Sequence, residues 1–366
     1  MNIMRQALAI AILGVAAILA MLSPVTGSAA PGVPSVDEDW VEFLDQEVRR
    51  LERAYPGKFG LYMKRLSDDR VFSHRGSARW YIASGVKVPI AVEALVRASE
   101  GKISLSDRID LSEDDYVDGA GQTNYHPPGS SLSIRYLLQQ MLVYSDNTAA
   151  DLLLRKVGLQ SVNERVKVLA PEAFGEITEL SEVRRLVYRR LHPRARGLRG
   201  KDLLVLASFH QGKRAASLAA LLGVERDDLR LPSIGAAFSA YYRTGVNSAT
   251  LEGYARILER IAKNEVLDPL HTKLLLEWMD GVKTGRNRLI AAFPNTVVFA
   301  HKTGTQFQRI CDFGVARKRG AATRKGVVIA ACVQGLPVRD AELVLRRLGA
   351  SIRRSGVFSS GSSNSG

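Results

Sequence analysis

The chain has 366 residues, 46% hydrophobic and 24% charged, proportions of a globular protein with room for one large domain or two intertwined ones. Lys and Arg outnumber Asp and Glu, 51 against 37, for a formal net charge of +14. No basic run is interleaved with aromatics, so nucleic acid is not an expected partner, and the surplus reads as a solvated basic surface.

At the N-terminus, Arg5 precedes an uncharged stretch from Ala7 to Leu22, and the small residues Ser23 to Ala30 follow. That order is the pattern of a secretory leader cleaved near Ala29 or Ala30; the apolar run is short for a membrane span. Residues 1–30 are therefore assigned to a leader, 31–354 to one folded domain and the Ser/Gly-rich residues 355–366 to a disordered tail. The mature protein is expected to be secreted or periplasmic and monomeric, meeting the membrane only through the leader.

Asp37 to Ala54 has helical periodicity. Phe59 to Leu66 and Arg70 to Gly76 read as strands joined by the turn Ser67-Asp68-Asp69. Ser84 opens an apolar helix that runs to about Ala98 and stops near Gly101. Residues 84–289 read mostly as helix and loop. Within them, about 175–245 is rich in Arg, Leu and Ala and is interrupted at His192-Pro193, which predicts two or three short helices packed as an added lobe. Thr296 to Thr303, Cys311 to Ala316 and Gly326 to Val333 read as strands, and Ala341 to Arg354 as an amphipathic helix. The block order predicts an α+β fold: an antiparallel sheet assembled from both chain ends, enclosing a helical insertion.

Cys311 and Cys332 are the only cysteines. They are equidistant from an apparent turn over Arg317 to Gly326, so a hairpin would set them opposite each other. A cross-strand disulfide and a pair of free apolar thiols are equally compatible with that placement. Two thiols without nearby histidine supply too few ligands for a metal site.

Three fragments carry chemistry. In Ser84-Gly85-Val86-Lys87 the hydroxyl and the amine are three residues apart, on one face of a helix and at its positive end. Burial beside other cations would make the Lys87 amine a base for the serine proton. Composition alone produces Ser-x-x-Lys about once in a chain of this length. A second copy, Ser99 to Lys102, lies at a helix end and reads as a cap region. Ser145-Asp146-Asn147 is a tight connection between two helical runs. It is suited either to N-capping or to proton relay through Ser145 and amide recognition by Asn147. Lys302-Thr303-Gly304-Thr305 follows an apolar strand. It would present an amine and hydroxyls to a substrate carboxylate, with Gly304 permitting close backbone approach. A similar run, Lys283-Thr284-Gly285, reads as a structural loop.

In order and in context, the fragments resemble those of the class A β-lactamases and related penicillin-recognising serine hydrolases. The resemblance extends over Ser84 to Gly158 and resumes from Asn247 to Arg353. It implies a five-stranded antiparallel sheet flanked by helices, with an inserted all-helical subdomain. It further implies Ser84 as the acylated nucleophile, Lys87 as its proton acceptor, and Ser145 and Lys302 at the leaving nitrogen and the substrate carboxylate. Asn147 would contact the acylamide, Thr303, Gly304 and Thr305 the substrate, and the backbone N–H groups of Ser84 and Thr305 the oxyanion. No metal or organic cofactor is implied; the expected partner is a small-molecule β-lactam or a cell-wall peptide.

The chain departs from that family in four places. The glutamate setting that serves acyl-group release is missing; Glu182 and Glu179 are the candidates at about the right distance. The added lobe has no counterpart. Gly119-Ala120-Gly121 stands where the family has an aromatic at the site mouth. Cys311 stands near the family's arginine, for which Arg309 is the candidate substitute. The expectation is an exported serine hydrolase that hydrolyses β-lactams. Its alternatives are a D-alanyl-D-alanine peptidase or transpeptidase that deacylates slowly, and a non-enzymatic wall-binding protein.

Overall fold

The computed structural model describes residues 39–358. The leader expected over residues 1–30 and residues 359–366 of the expected tail lie outside the described residues. In chain order come α1 (Trp40–Ala54), β1 (Lys58–Arg65), β2 (Val71–His74), the short β3 (Arg79–Tyr81), α2 (Lys87–Ser99), and the short β4 (Arg108–Asp110) and β5 (Ser131–Ser133). Next are α3 (Ile134–Gln139), α4 (Asn147–Val157), α5 (Leu159–Leu169), α6 (Leu180–Leu191), α7 (Gly200–Ser208), α8 (Arg214–Leu222) and α9 (Ile234–Tyr242). The short β6 (Ser248–Thr250), α10 (Leu251–Ala262), α11 (Pro269–Asp280), β7 (Val297–Gln306), β8 (Arg309–Lys318), β9 (Val327–Gln334) and α12 (Val338–Arg354) complete the order.

Both ends of the described chain build one five-stranded sheet, in the order β2-β1-β9-β8-β7, with every neighbour antiparallel. The two-residue side-chain period of β1 explains its covered faces. Phe59, Leu61 and Met63 pack with Trp40, Leu44 and Val48 of α1 and Leu345 and Leu348 of α12. Gly60, on the opposite face, lies so close to Trp80 and Leu251 that a Cβ there would meet the Trp80 ring at 2.6 Å. The central β9 is covered on both sides, which is why its run Val327–Val333 is apolar without alternation.

A second core joins α2, α4, α5, α10 and α11 to the other face of the sheet. A third fills the added lobe, where Val187, Leu203, Leu218 and Phe238 converge. That lobe holds four helices, α6 to α9, rather than two or three, because the chain is interrupted not only after His192-Pro193 but also over 209–213, around Gly212, and over 223–233, between Gly223 and Pro232. Its core includes Tyr81 and Ala83, residues of the segment leading into Ser84.

Cys311 and Cys332 are register partners on β8 and β9 and form a disulfide. Residues 355–358, assigned to the tail on composition, pack on the domain: Val357 is buried and the Phe358 ring packs edge-on against Phe293. β7 also extends three residues past Thr303, so the whole fragment Lys302–Thr305 lies inside an edge strand. Among the described residues no helix is long and apolar enough to cross a membrane.

Candidate active site

Ser84 does not sit on the long helix itself. It occupies a 3-10 turn, Ala83–Val86, that runs directly into α2. Ala83 enters the turn at φ 47°, a left-handed conformation unfavourable for a residue with a Cβ. The turn is held by Gly85 N–H donating to Ile82 O at 2.8 Å and by Tyr254 Oη donating to Gly85 O at 2.7 Å. β7 closes on the same turn. A Cβ on Gly304 would stand 2.3 Å from Ile82 O, so glycine is what allows the strand to lie against the serine.

Lys87 follows on the first turn of α2 and is fully buried. Its Nζ lies 3.1 Å from Ser84 Oγ, 2.6 Å from Ser145 O, 3.3 Å from Ser145 Oγ and 2.7 Å from Asn147 Oδ1. Burial pushes this amine down to about 7; the Arg184 charge acts in the same direction, against Asp146 and Asp151. Lys302, also fully buried, is held well below the ordinary lysine range by burial and by the charges of Lys87 and Arg288, with Asp312 opposing. Its Nζ lies 2.9 Å from Ser145 Oγ. Ser145 Oγ thus bridges two amines, both shifted toward their neutral forms, on opposite sides of the site.

In the second fragment the capping role falls to Asp146, while Ser145 and Asn147 are hydrogen-bonded to the lysines. Asp146 is the N-cap of α4, accepting from Ala149 N–H at 2.9 Å, and it also accepts from Thr123 N–H at 2.9 Å. Ser145 precedes it in a left-handed conformation, φ 64°, at the end of a π-helical turn over Gln140–Tyr144, and this aims its hydroxyl at the two lysines. Asn147 follows and donates to Asp118 O at 2.6 Å. Gly119 and Gly121 sit where a Cβ would strike Asn147 and Asp146, so their place is set by contact with the second fragment.

In the third fragment, the Thr303 hydroxyl meets that of Thr284 at 2.6 Å. The run Lys283-Thr284-Gly285 is therefore a loop that buttresses the site. The Thr305 hydroxyl accepts from Arg288 Nη2 at 2.6 Å, and Arg288 Nη1 donates to Gly304 O and Cys311 O. This buried arginine, not Arg309, brings a guanidinium to the third fragment. Arg309 instead stacks over Tyr242 at 4.4 Å from the ring centroid.

Both glutamate candidates are engaged in ion pairs. Glu182 pairs with Arg185 at 3.5 Å with its side chain 38% exposed, and Glu179 pairs with Arg155 and accepts from Ser181 Oγ. The carboxylate beneath this segment is the buried Asp151, which accepts from Leu180 N–H at 2.6 Å and Ser181 N–H at 2.8 Å and is pushed up to about 6 by burial. The other Ser-x-x-Lys copy is structural: Ser99 Oγ donates to Val96 O, and Lys102 pairs with Glu100.

Sequence reasoning missed Asp118, Asp151, Arg184 and Arg288. Asp151 had a usable signal, since it is four residues after Asn147 on a helix and so shares its face. Arg184 and Arg288 had none, because their partners lie 66 and 16 or more residues away in the chain.

A serine hydroxyl, a neutral-biased amine, a bridging hydroxyl and a second amine thus stand together where the sheet meets the helical insertion. The chain belongs to the Beta-lactamase enzyme family, whose model matches residues 43–355. Beta-lactamase L2 of Stenotrophomonas maltophilia is 29% identical over 140 residues, which are 38% of this chain and 45% of that protein. The chain thus spans less than half the length of that curated relative. Beta-lactamase OXY-2 of Klebsiella oxytoca is 22% identical over 262 residues, 71% of each chain. The fold matches the acyl-enzyme complex of a PBP-A mutant with penicillin G, at TM-score 0.64 and 18% identity over 86% of this chain and 96% of that one. A β-lactamase from Sphaerobacter thermophilus matches with TM-score 0.64 and 19% identity, over 87% and 98% of the two chains.

Proposed function

We propose that this chain is an exported serine hydrolase that opens β-lactams through an acyl-enzyme at Ser84. The observation that carries this reading is Ser84 Oγ at 3.1 Å from a buried lysine amine held near neutrality. Ser84 Oγ attacks the lactam carbonyl while its proton passes to Lys87 Nζ. The backbone N–H groups of Ser84 and Thr305 take the oxyanion, in the tight approach that Gly304 permits. As the C–N bond breaks, Ser145 Oγ gives its proton to the leaving nitrogen and regains one from Lys87 or Lys302. Lys302, with Thr303 and Thr305, takes the substrate carboxylate, and Asn147 takes the acylamide. The leader pattern over residues 1–30 supports export.

A second reading, a D-alanyl-D-alanine peptidase or transpeptidase that releases the acyl group slowly, is favoured by one observation. The carboxylates expected to activate water, Glu182 and Glu179, are engaged by Arg185 and Arg155. Intact mass after mixing with penicillin tests the shared step. Wild type gains the mass of the opened lactam and Ser84→Ala does not; an adduct persisting in the Ser84→Ala protein refutes both readings.

A further inference from the structure

We propose that Arg184, supplied by the added helical lobe, is a positioning residue for acylation: it clamps Asp118 so that the Asp118 carbonyl fixes Asn147, and Asn147 fixes Lys87 against Ser84. This rests on the acyl-enzyme reading above and assigns the lobe a part in it.

Arg184 Nε donates to Asp118 Oδ1 at 2.6 Å. Asp118 O accepts from Asn147 Nδ2 at 2.6 Å, and Asn147 Oδ1 accepts from Lys87 Nζ at 2.7 Å. Lys87 then reaches Ser84 Oγ at 3.1 Å. Every link is a direct hydrogen bond, and the ion pair that starts the line is largely covered, with side-chain exposures of 12% and 17%. Such a pair is costly to break one-sidedly, because the remaining charge stays buried.

The loop it holds has little slack. Val117 N–H is tied to Thr148 Oγ1 and Thr123 N–H to Asp146 Oδ2, both in or beside α4. Gly119, next to Asp118, lies where a Cβ would stand 2.6 Å from Asn147 Nδ2. Any displacement of Asp118 therefore moves the Asn147 amide, and a hydrogen-bonded lysine follows it. Arg184 arrives on α6, whose start is pinned by Asp151 from α4 and whose apolar face joins the lobe core together with Tyr81 and Ala83. The lobe is thus fixed to the serine turn on one side and, through Arg184, to the amide and the lysine on the other.

Charge acts alongside geometry. The groups acting electrostatically on Lys87 are Asp146 and Asp151 of the α4 segment, Arg184 of α6, and Lys302 of β7. Around the Arg184 guanidinium stand Asp118 and the phenols of Tyr81, Tyr188 and Tyr242. Removing the Arg184 charge favours the ammonium form of Lys87, so the rising limb of acylation against pH moves to higher pH.

The test compares wild type, Arg184→Met, Arg184→Lys and Arg185→Met by single-turnover acylation with penicillin between pH 5 and 9, with melting temperatures alongside. Side-chain NMR titration of Lys87 in isotopically labelled protein gives a readout independent of substrate. Arg184→Met is expected to acylate on the order of 10²-fold more slowly, the cost of misplacing a reacting group by about 1 Å, with Lys87 titrating at higher pH. Arg184→Lys keeps the charge and restores the pH limb. Arg185→Met, which also perturbs α6, loses stability without moving the limb. Should Arg184→Met fail to fold, Asp118→Asn serves in its place, with the same slowing expected. If wild type acylates and Arg184→Met matches it in rate and in Lys87 titration, the positioning role is refuted and the acyl-enzyme reading stands. If wild type never acylates, that reading fails, and the Lys87 titration alone decides whether Arg184 governs the lysine.

Discussion

The pH dependence of acylation follows from the burial of Lys87. An ordinary lysine, at 10.5, is neutral in only about three molecules in ten thousand at pH 7, whereas one lowered to about 7 is neutral in about half. The fold therefore raises the fraction of usable base by about 10³, equivalent to about 4 kcal/mol. The sign is set by which form works: in the proposed mechanism the free amine accepts the Ser84 proton, so the rate is expected to rise with pH through the region near 7 and then level. Lys302 is lowered as well and each ammonium disfavours the other, so the limb belongs to the pair. Stopped-flow acylation with a chromogenic β-lactam from pH 5 to 9 measures it. Lys87→Met should lower the plateau by roughly 10²–10⁴ through loss of the base. A wild-type rate independent of pH across that range, or one still climbing steeply at pH 9, would refute the reasoning.

Other consequences are as specific. Gly121→Ala puts a Cβ about where Asp146 Oδ2 lies, 2.1 Å away, at φ 104°, and should cost about 2–5 kcal/mol in urea unfolding; a neutral result would show that the loop is free to shift. Replacing both Cys311 and Cys332 by serine should remove about 2–4 kcal/mol, read as a lower denaturation midpoint, since the bridge closes a 21-residue separation. Glu182→Gln should leave the lifetime of the acyl-enzyme within about twofold of wild type, because its carboxylate serves a partly exposed ion pair worth at most about 1 kcal/mol. A much longer lifetime in that variant would instead make Glu182 the deacylating base.

What the sequence made legible depended on local rules. Ser84 with Lys87 is a spacing on one turn, Ser145 to Asn147 is a tripeptide between two helical periods, and the opposed placement of the two cysteines, though not their bonding, follows from symmetry about a turn; each needs only local sequence. The left-handed Ser145 was out of reach because the π-turn before it depends on packing in the helical core. Arg288 was hidden more deeply. Its donors bind the backbone of β7 and β8 and the Thr305 hydroxyl, contacts that exist only after the sheet closes, whereas Arg309 is marked by its nearness in sequence. The Arg-rich stretch of the lobe was conspicuous in composition, yet nothing local marked Arg184 as the one that reaches Asp118.

The central claim is that Ser84 is acylated. Tandem mass spectrometry of proteolytic fragments, quenched at intervals after mixing with penicillin, locates the acyl group directly. The account predicts an ester on the peptide bearing Ser84, forming faster as pH rises through the region near 7. An acyl group on another residue, or an unmodified Ser84 peptide at every interval, would contradict it.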